Sequence, residues 1–155
     1  MSTFTDLVRD CYTTQGYNCA EAIIHAANQY YSLGLHEEDM KMLSGFGSGM
    51  YVGSSCGALI ASNAVLSKLI VTDRAHAHLD LLRLASGLLF RNFKAGLSHS
   101  DCAMIKPKHY SKDFKCLETV SLAAEVLENT ISTLHADGRL KIDLPHSETD
   151  IEISL

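Results

Sequence analysis

Five cysteines, at positions 11, 19, 56, 102 and 116, are the residues of this 155-residue chain whose type and spacing could do chemistry. A thiolate is both a strong nucleophile and a soft metal ligand. None of the five forms a CxxC pair, so the short-range signature of a zinc ribbon or a thioredoxin-type site is absent. If Cys19, Cys56, Cys102 and Cys116 converge, they make a four-thiolate site able to hold zinc or an iron–sulfur cluster. If they do not, they are four unrelated small core residues, a common fate of free cysteine. Residue types alone leave both readings open.

The elements that must position these thiols can be read from the pattern. Residues 45–61, GFGSGMYVGSSCGALIA, place five glycines in thirteen positions ahead of and just after Cys56. Glycine is used where backbone turns sharply or approaches something closely. The stretch is therefore expected to deliver the Cys56 thiol at the start of a helix over about 56–71, with Ser54 or Ser55 as its cap. Gly53 and Gly57, on either side of that thiol, are expected to lie against any bound group. Asn18 with Glu21 three residues on reads as a capping box, making Cys19 the first residue of a helix. That helix carries Ala20, Ile23, Ile24, Ala27 and Tyr31 on one side and stops at Gly34.

Phe4, Leu7, Val8, Cys11 and Tyr12 share one face of a first helix from Thr3 to Thr13, which makes Cys11 a core residue. A short helix is expected over 37–43. Thr72-Asp73 should cap a long amphipathic helix to about Lys94, ended by Gly96. Ser100 or Asp101 could cap a single turn beginning at Cys102 within an otherwise irregular segment over 97–112. Ser111 should cap the last long helix, to about Ala136, with Cys116 in its first two turns. Leu140, Ile142 and Leu144, and again Ile151, Ile153 and Leu155, alternate with polar residues as two short strands around a turn over 145–149 would.

The expected fold is all-α, a compact bundle of five to six helices over 1–138, followed by a short β-like tail over 139–155. That tail would pack on the helices or on a second copy in a homodimer. The electrostatics favour convergence of the thiols. An oxidised two-iron cluster with four thiolates carries about −2, costly to bury unless N–H dipoles face it. Helix N-termini supply roughly +0.5 each, and the glycine stretch could add further donors. At those positive ends Cys19 and Cys56 are expected to be favoured as thiolates.

NCAEAI, GFGSGM, GSSCGALIA, DCAMI and KCLETVSLAAEVLE together resemble the redox-active family named for its C_GCAxxG_C_C pattern, over about 17–128. The pattern cysteines correspond to Cys19, Cys56, Cys102 and Cys116, with Cys11 outside it. Split-Soret cytochromes c share the motif, and in them the corresponding domain is similar to an iron–sulfur carrier. The chain departs from the pattern at Ala61, where the family has its last glycine. With no CxxCH, covalent haem does not carry over.

The resemblance implies a redox-active protein without supplying its physiological reaction; the expected function is that of a small redox protein holding an iron–sulfur cluster, the two-iron type favoured, that exchanges electrons with a partner protein. Three other functions fit the same cysteines. One is metal-free thiol–disulfide exchange or redox sensing, with Cys19 and Cys56 as nucleophile and resolving partner. Another is structural zinc in an interaction protein, and a third is a regulatory accessory to a transporter or oxidoreductase.

Composition narrows the field. With 46% hydrophobic and 20% charged residues the chain is globular rather than disordered. Its net charge is −5 and its 13 basic residues are scattered, forming no basic stripe, so neither nucleic acid nor an anionic membrane is the expected partner. No signal peptide or membrane span is expected, which places the protein in the cytoplasm, where thiols stay reduced. The glycines at 45, 47 and 49 lack a following Gly-Lys-Ser/Thr and a preceding strand, so they read neither as a P-loop nor as a dinucleotide fingerprint. His76 and His78 point apart on a helix and should be surface residues. His99 and His109 flank Cys102 and could donate to its surroundings.

Overall fold

Local caps decide where the first two helices begin. The computed structural model describes residues 2–145. Helix α1 (Phe4–Thr13) starts behind Thr3, whose hydroxyl accepts the Asp6 N–H at 3.1 Å while Asp6 accepts the Thr3 N–H at 3.1 Å. Helix α2 (Cys19–Tyr30) starts behind Asn18 with the same reciprocal pair, Asn18 to Glu21, as the sequence predicts. It stops earlier than expected. The Asn28 side chain, not Gly34, organises the exit by clamping the Leu35 backbone with bonds of 2.8 and 3.0 Å.

A four-residue α3 (Glu37–Met40) passes into a 3-10 turn, Lys41–Phe46, which absorbs the first glycine of the rich stretch. Ser48, Gly49, Met50 and Tyr51 then follow one another in the left-handed region, with φ of 49, 62, 57 and 58°. Each non-glycine residue there costs about 1–2 kcal/mol. The turn is held by Ser54 N–H donating to Gly49 O at 2.9 Å. Its other tie is the Tyr51 hydroxyl, which accepts from Asn18 Nδ2 at 3.2 Å. A side chain at Gly49 would collide with the Ser54 backbone.

Helix α4 (Gly57–Ile70) is the central element, with Ala58, Ala61, Val65 and Leu66 fully buried. Thr72-Asp73 does not cap the next helix. A 3-10 turn, Ala75–His78, intervenes before α5 (Leu79–Leu97), and α5 runs through Gly96 to end at Ser98, left-handed at φ 71°. His76 in that turn is exposed as expected, whereas His78 is half-buried against Thr72 and Asp73. The segment read as irregular contains a two-turn helix, α6 (Cys102–His109), which starts at the expected residue and tolerates Pro107 in its second turn.

The last helix begins later than Ser111. Ser111 and Lys115 exchange backbone hydrogen bonds of 3.1 and 2.7 Å and close a tight loop, Lys115 at φ 54°. Helix α7 (Leu117–Ala136) follows with Cys116 as its cap residue. The all-α expectation holds: the described residues form seven α-helices and no strand. Leu140 packs on the core but residues 139–144 are not a strand. The second arm of the expected hairpin lies outside the described residues.

Helices α1, α2, α4, α5 and α7 pack pairwise, with α7 touching α1, α4 and α5. Phe4, Ile23, Leu66, Leu89, Phe93, Leu127 and Ile131 fill the space between them. Each such side chain stabilises the fold by about 1.5–3 kcal/mol. Cys11 is buried among them, and burial pushes its thiol up to about 11. No described helix is long and apolar enough to cross a membrane. The scaffold brings the N-terminal ends of α2, α4, α6 and α7 to one side.

Candidate redox site

Each of the four motif cysteines occupies the first or cap position of a helix. Cys19 and Cys102 are the first residues of α2 and α6, and Cys56 and Cys116 are the cap residues of α4 and α7. All four line a single cleft of about 510 Å³. The sequence could place each thiol at a helix start but could not bring the starts together. Helix packing does that.

Three local devices fix the thiols. Cys56 N–H donates to Ser100 O at 2.8 Å and Cys102 N–H donates to Ser54 O at 2.7 Å, around an antiparallel bridge between Ser55 and Asp101. This pairing joins the two loops that lead into α4 and α6. Cys116 N–H donates to the Tyr12 hydroxyl at 3.0 Å, which ties the α7 start to α1. Cys19 sits against Gly57, where an added Cβ would lie 2.8 Å from its sulfur. Gly53 lies against Ala103 of α6, 3.1 Å from the position of an added Cβ. Gly57 thus touches a cleft thiol, whereas Gly53 serves the contact between its turn and α6.

The expected dipole effect exists but loses to burial. The Cys19 thiol is pushed up by burial, even though the N–H groups of Ser48, Ala20 and Ala58 act to lower it. Burial pushes Cys56 up to about 12, with a neighbouring charge on Cys19 adding to it, against the opposing Leu59 and Ala58 N–H groups. Cys116 is raised by burial and by Cys19, and Lys106 opposes this. Thiolates at Cys19 and Cys56 are therefore not favoured in the metal-free chain, contrary to the helix-start expectation. Removing a thiol from water costs its anion more than a few partial charges return.

The same N–H groups have a second meaning. Ala58 N–H serves both Cys19 and Cys56, and the left-handed turn aims Ser48 N–H at Cys19. These donors suit sulfur carrying negative charge, which the free thiols do not. Among the described residues, no three His, Cys, Asp or Glu side chains are gathered closely enough to hold one metal ion.

Several cleft residues escape sequence reasoning. Tyr12, Tyr17, Asn18, Glu21 and Tyr51 line the cleft together with Lys106 and Lys115. Asn18 ties the cleft wall to the glycine-rich stretch by donating to Ser44 O at 2.9 Å and to the Tyr51 hydroxyl at 3.2 Å. Glu21 accepts from Ser44 Oγ at 3.0 Å. The run KPKHYSKDFK between two motif cysteines is the signal that could have found the lysines, although the basic residues read as scattered; the tyrosines carry no signal beyond their proximity to Cys11 and the glycines. Neither flanking histidine serves a thiol: His109 pairs with Glu118 at 2.9 Å, and His99 is not among the cleft residues.

Among curated proteins and among solved structures, none is significantly similar to the chain. A family model described as "Putative redox-active protein (C_GCAxxG_C_C)" matches residues 17–130, a span that takes in all four cleft cysteines and omits Cys11. With most of its length matched and its four thiols on one cleft, the chain belongs to the C_GCAxxG_C_C redox-active family.

Proposed function

We propose that this protein holds an iron–sulfur cluster through Cys19, Cys56, Cys102 and Cys116, and that it passes electrons to and from a partner protein in the cytoplasm. The observation that carries the reading is that four thiols from four helix starts line one cleft. The donor set fits such a group. Four sulfurs match the ligand count of a two-iron or four-iron cluster, and backbone N–H groups face two of them. A zinc ion held by the same four sulfurs is the alternative that the metal analysis below distinguishes.

The bound cluster would supply reversible one-electron transfer. The chain's own residues do the rest. Cys19, Cys56, Cys102 and Cys116 give up their protons on binding. Ser48, Ala20, Ala58 and Leu59 N–H groups offset the charge left on sulfur, and the Gly57 contact keeps Cys19 close to α4. Burial raises the Cys19 and Cys56 thiols, which disfavours the thiolate that metal-free thiol–disulfide exchange would need.

The test is anaerobic reconstitution with iron and sulfide, followed by iron, sulfide and visible-spectrum analysis. Bound iron and inorganic sulfide with a visible chromophore are expected. A colourless chain with all four thiols still titratable would overturn the reading, and a reversible Cys19–Cys56 link after mild oxidation would replace it with thiol exchange.

A further inference from the structure

The rim of the cysteine cleft combines exposed apolar side chains with unpaired positive charge. Tyr51 lines the cleft and is 66% exposed, and its neighbour Val52 is 78% exposed at the tip of the left-handed turn. Lys115 also lines the cleft, and its chain neighbour Phe114 is likewise 66% exposed. Exposing these side chains forgoes their burial, and the turn holds Met50 and Tyr51 in a costly backbone conformation. Conformational cost at an exposed loop beside a reactive centre marks a site shaped for something other than stability.

The charge is equally uneven. Lys106, Lys108, Lys112 and Lys115 fall within ten residues that hold one acid, Asp113, in a chain of net charge −5. None of the four forms an ion pair among the described residues. Lys106 and Lys115 open onto the cleft, and Lys106 stacks its ammonium 5.6 Å from the Tyr110 ring. The cleft's acid, Glu21, is tied to Asn18 N and Ser44 Oγ. An acidic molecule with a basic face at its reactive cleft orients an acidic partner toward that cleft. Apolar and aromatic contacts at the centre with charges around them are the anatomy of a protein interface.

We infer that the cleft rim formed by the Ser48–Gly53 turn and the lysine-rich 106–115 segment is the docking face for a small acidic electron-carrier protein. The inference rests on the redox reading above and names the kind of partner it requires. A protein is favoured over lipid because the face surrounds the cleft itself, where a redox partner must approach within electron-transfer distance, and because the chain as a whole is repelled by anionic membrane.

Binding of an acidic two-iron ferredoxin, with a basic c-type cytochrome as control, tests it by calorimetry on both the thiol form and the reconstituted form. Selective binding of the acidic probe is expected, weakening steeply with added salt. Val52→Asp and the double variant Lys108→Glu/Lys112→Glu, all at exposed positions outside the cleft lining, should each weaken it at least tenfold. The charge-swap variant should also flatten the salt dependence. The inference is overturned by no binding of the acidic probe, by preference for the basic one, or by variants that bind as the parent does. It is overturned equally if Val52→Asp abolishes binding to phosphatidylserine vesicles, or splits a homodimer, while leaving the acidic probe unaffected. Binding by a chain that takes up no cluster would separate failure of the cluster reading from failure of this one.

Discussion

Gly57 and Cys19 meet at closest packing: a Cβ built on Gly57 would stand 2.8 Å from the Cys19 sulfur, and closer still to the Phe46 carbonyl oxygen. The first turn of α4 and the first residue of α2 can share this space only because position 57 has no side chain. Backbone on one side prevents easy relief. Gly57→Ala should therefore push the two helix starts apart, destabilising the fold by about 1–3 kcal/mol. It should also lower bound iron, because Cys19 moves relative to Cys56. Gly45→Ala, at a position with open space around it, is the control and should leave both unchanged. Denaturant unfolding and iron analysis together decide.

The four cleft cysteines and Cys11 should separate cleanly. Serine at 19, 56, 102 or 116 is expected to abolish or nearly abolish cluster iron after reconstitution. Cys11→Ser should retain it and instead lose about 1–2 kcal/mol of stability, since a hydroxyl replaces a thiol in the core. Full iron retention in all four cleft variants would show that these sulfurs are not ligands.

Why the sequence revealed so much of this site, and stopped where it did, follows from the range of the forces involved. The capping box of Asn18 acts over three residues and was legible, as was the core position of Cys11 on its helix face. The starts of α5 and α7 were misread because serine, threonine and aspartate signals at Thr72-Asp73 and Ser111 can close turns as well as open helices. Ser111 closes one with Lys115. Convergence of Cys19, Cys56, Cys102 and Cys116 depends on packing between distant helices and on the Ser54–Cys102 and Cys56–Ser100 bonds, which no local pattern encodes. The sign of the thiol shifts was missed for the same reason. A helix dipole is local, whereas burial is a property of the whole fold.

The left-handed turn makes its own prediction. Met50 holds φ at 57° while its side chain is 45% exposed, so it incurs backbone strain with only partial burial in return. Met50→Gly should relieve the strain and raise stability by about 1 kcal/mol, partly offset by the greater freedom of glycine in the unfolded chain. Tyr51→Gly should not show the same gain, because its hydroxyl is bonded to Asn18. Thermal unfolding of the two variants side by side gives the comparison.

Opposite pH responses are expected for the metal-free and cluster-bearing forms. Burial, then the charge of Cys19, raises Cys56 in the folded state to about 12, while burial and Asp10 raise Cys11 to about 11. In the unfolded chain both return to the ordinary thiol value near 9.0. Below that value neither state ionises and the stability contribution is fully present. Between it and the folded values the unfolded chain binds fewer protons than the folded one, so stability falls as pH rises through roughly 9 to 12. Cluster uptake has the reverse slope, since each thiol that becomes a ligand releases a proton and higher pH assists that release. Metal-free protein should thus lose denaturant resistance across the alkaline range, and Cys56→Ala should lose less of it. Iron uptake at equilibrium should rise from pH 6 to 9. An uptake that is flat across those conditions would mean that the cleft thiols are not deprotonated on binding.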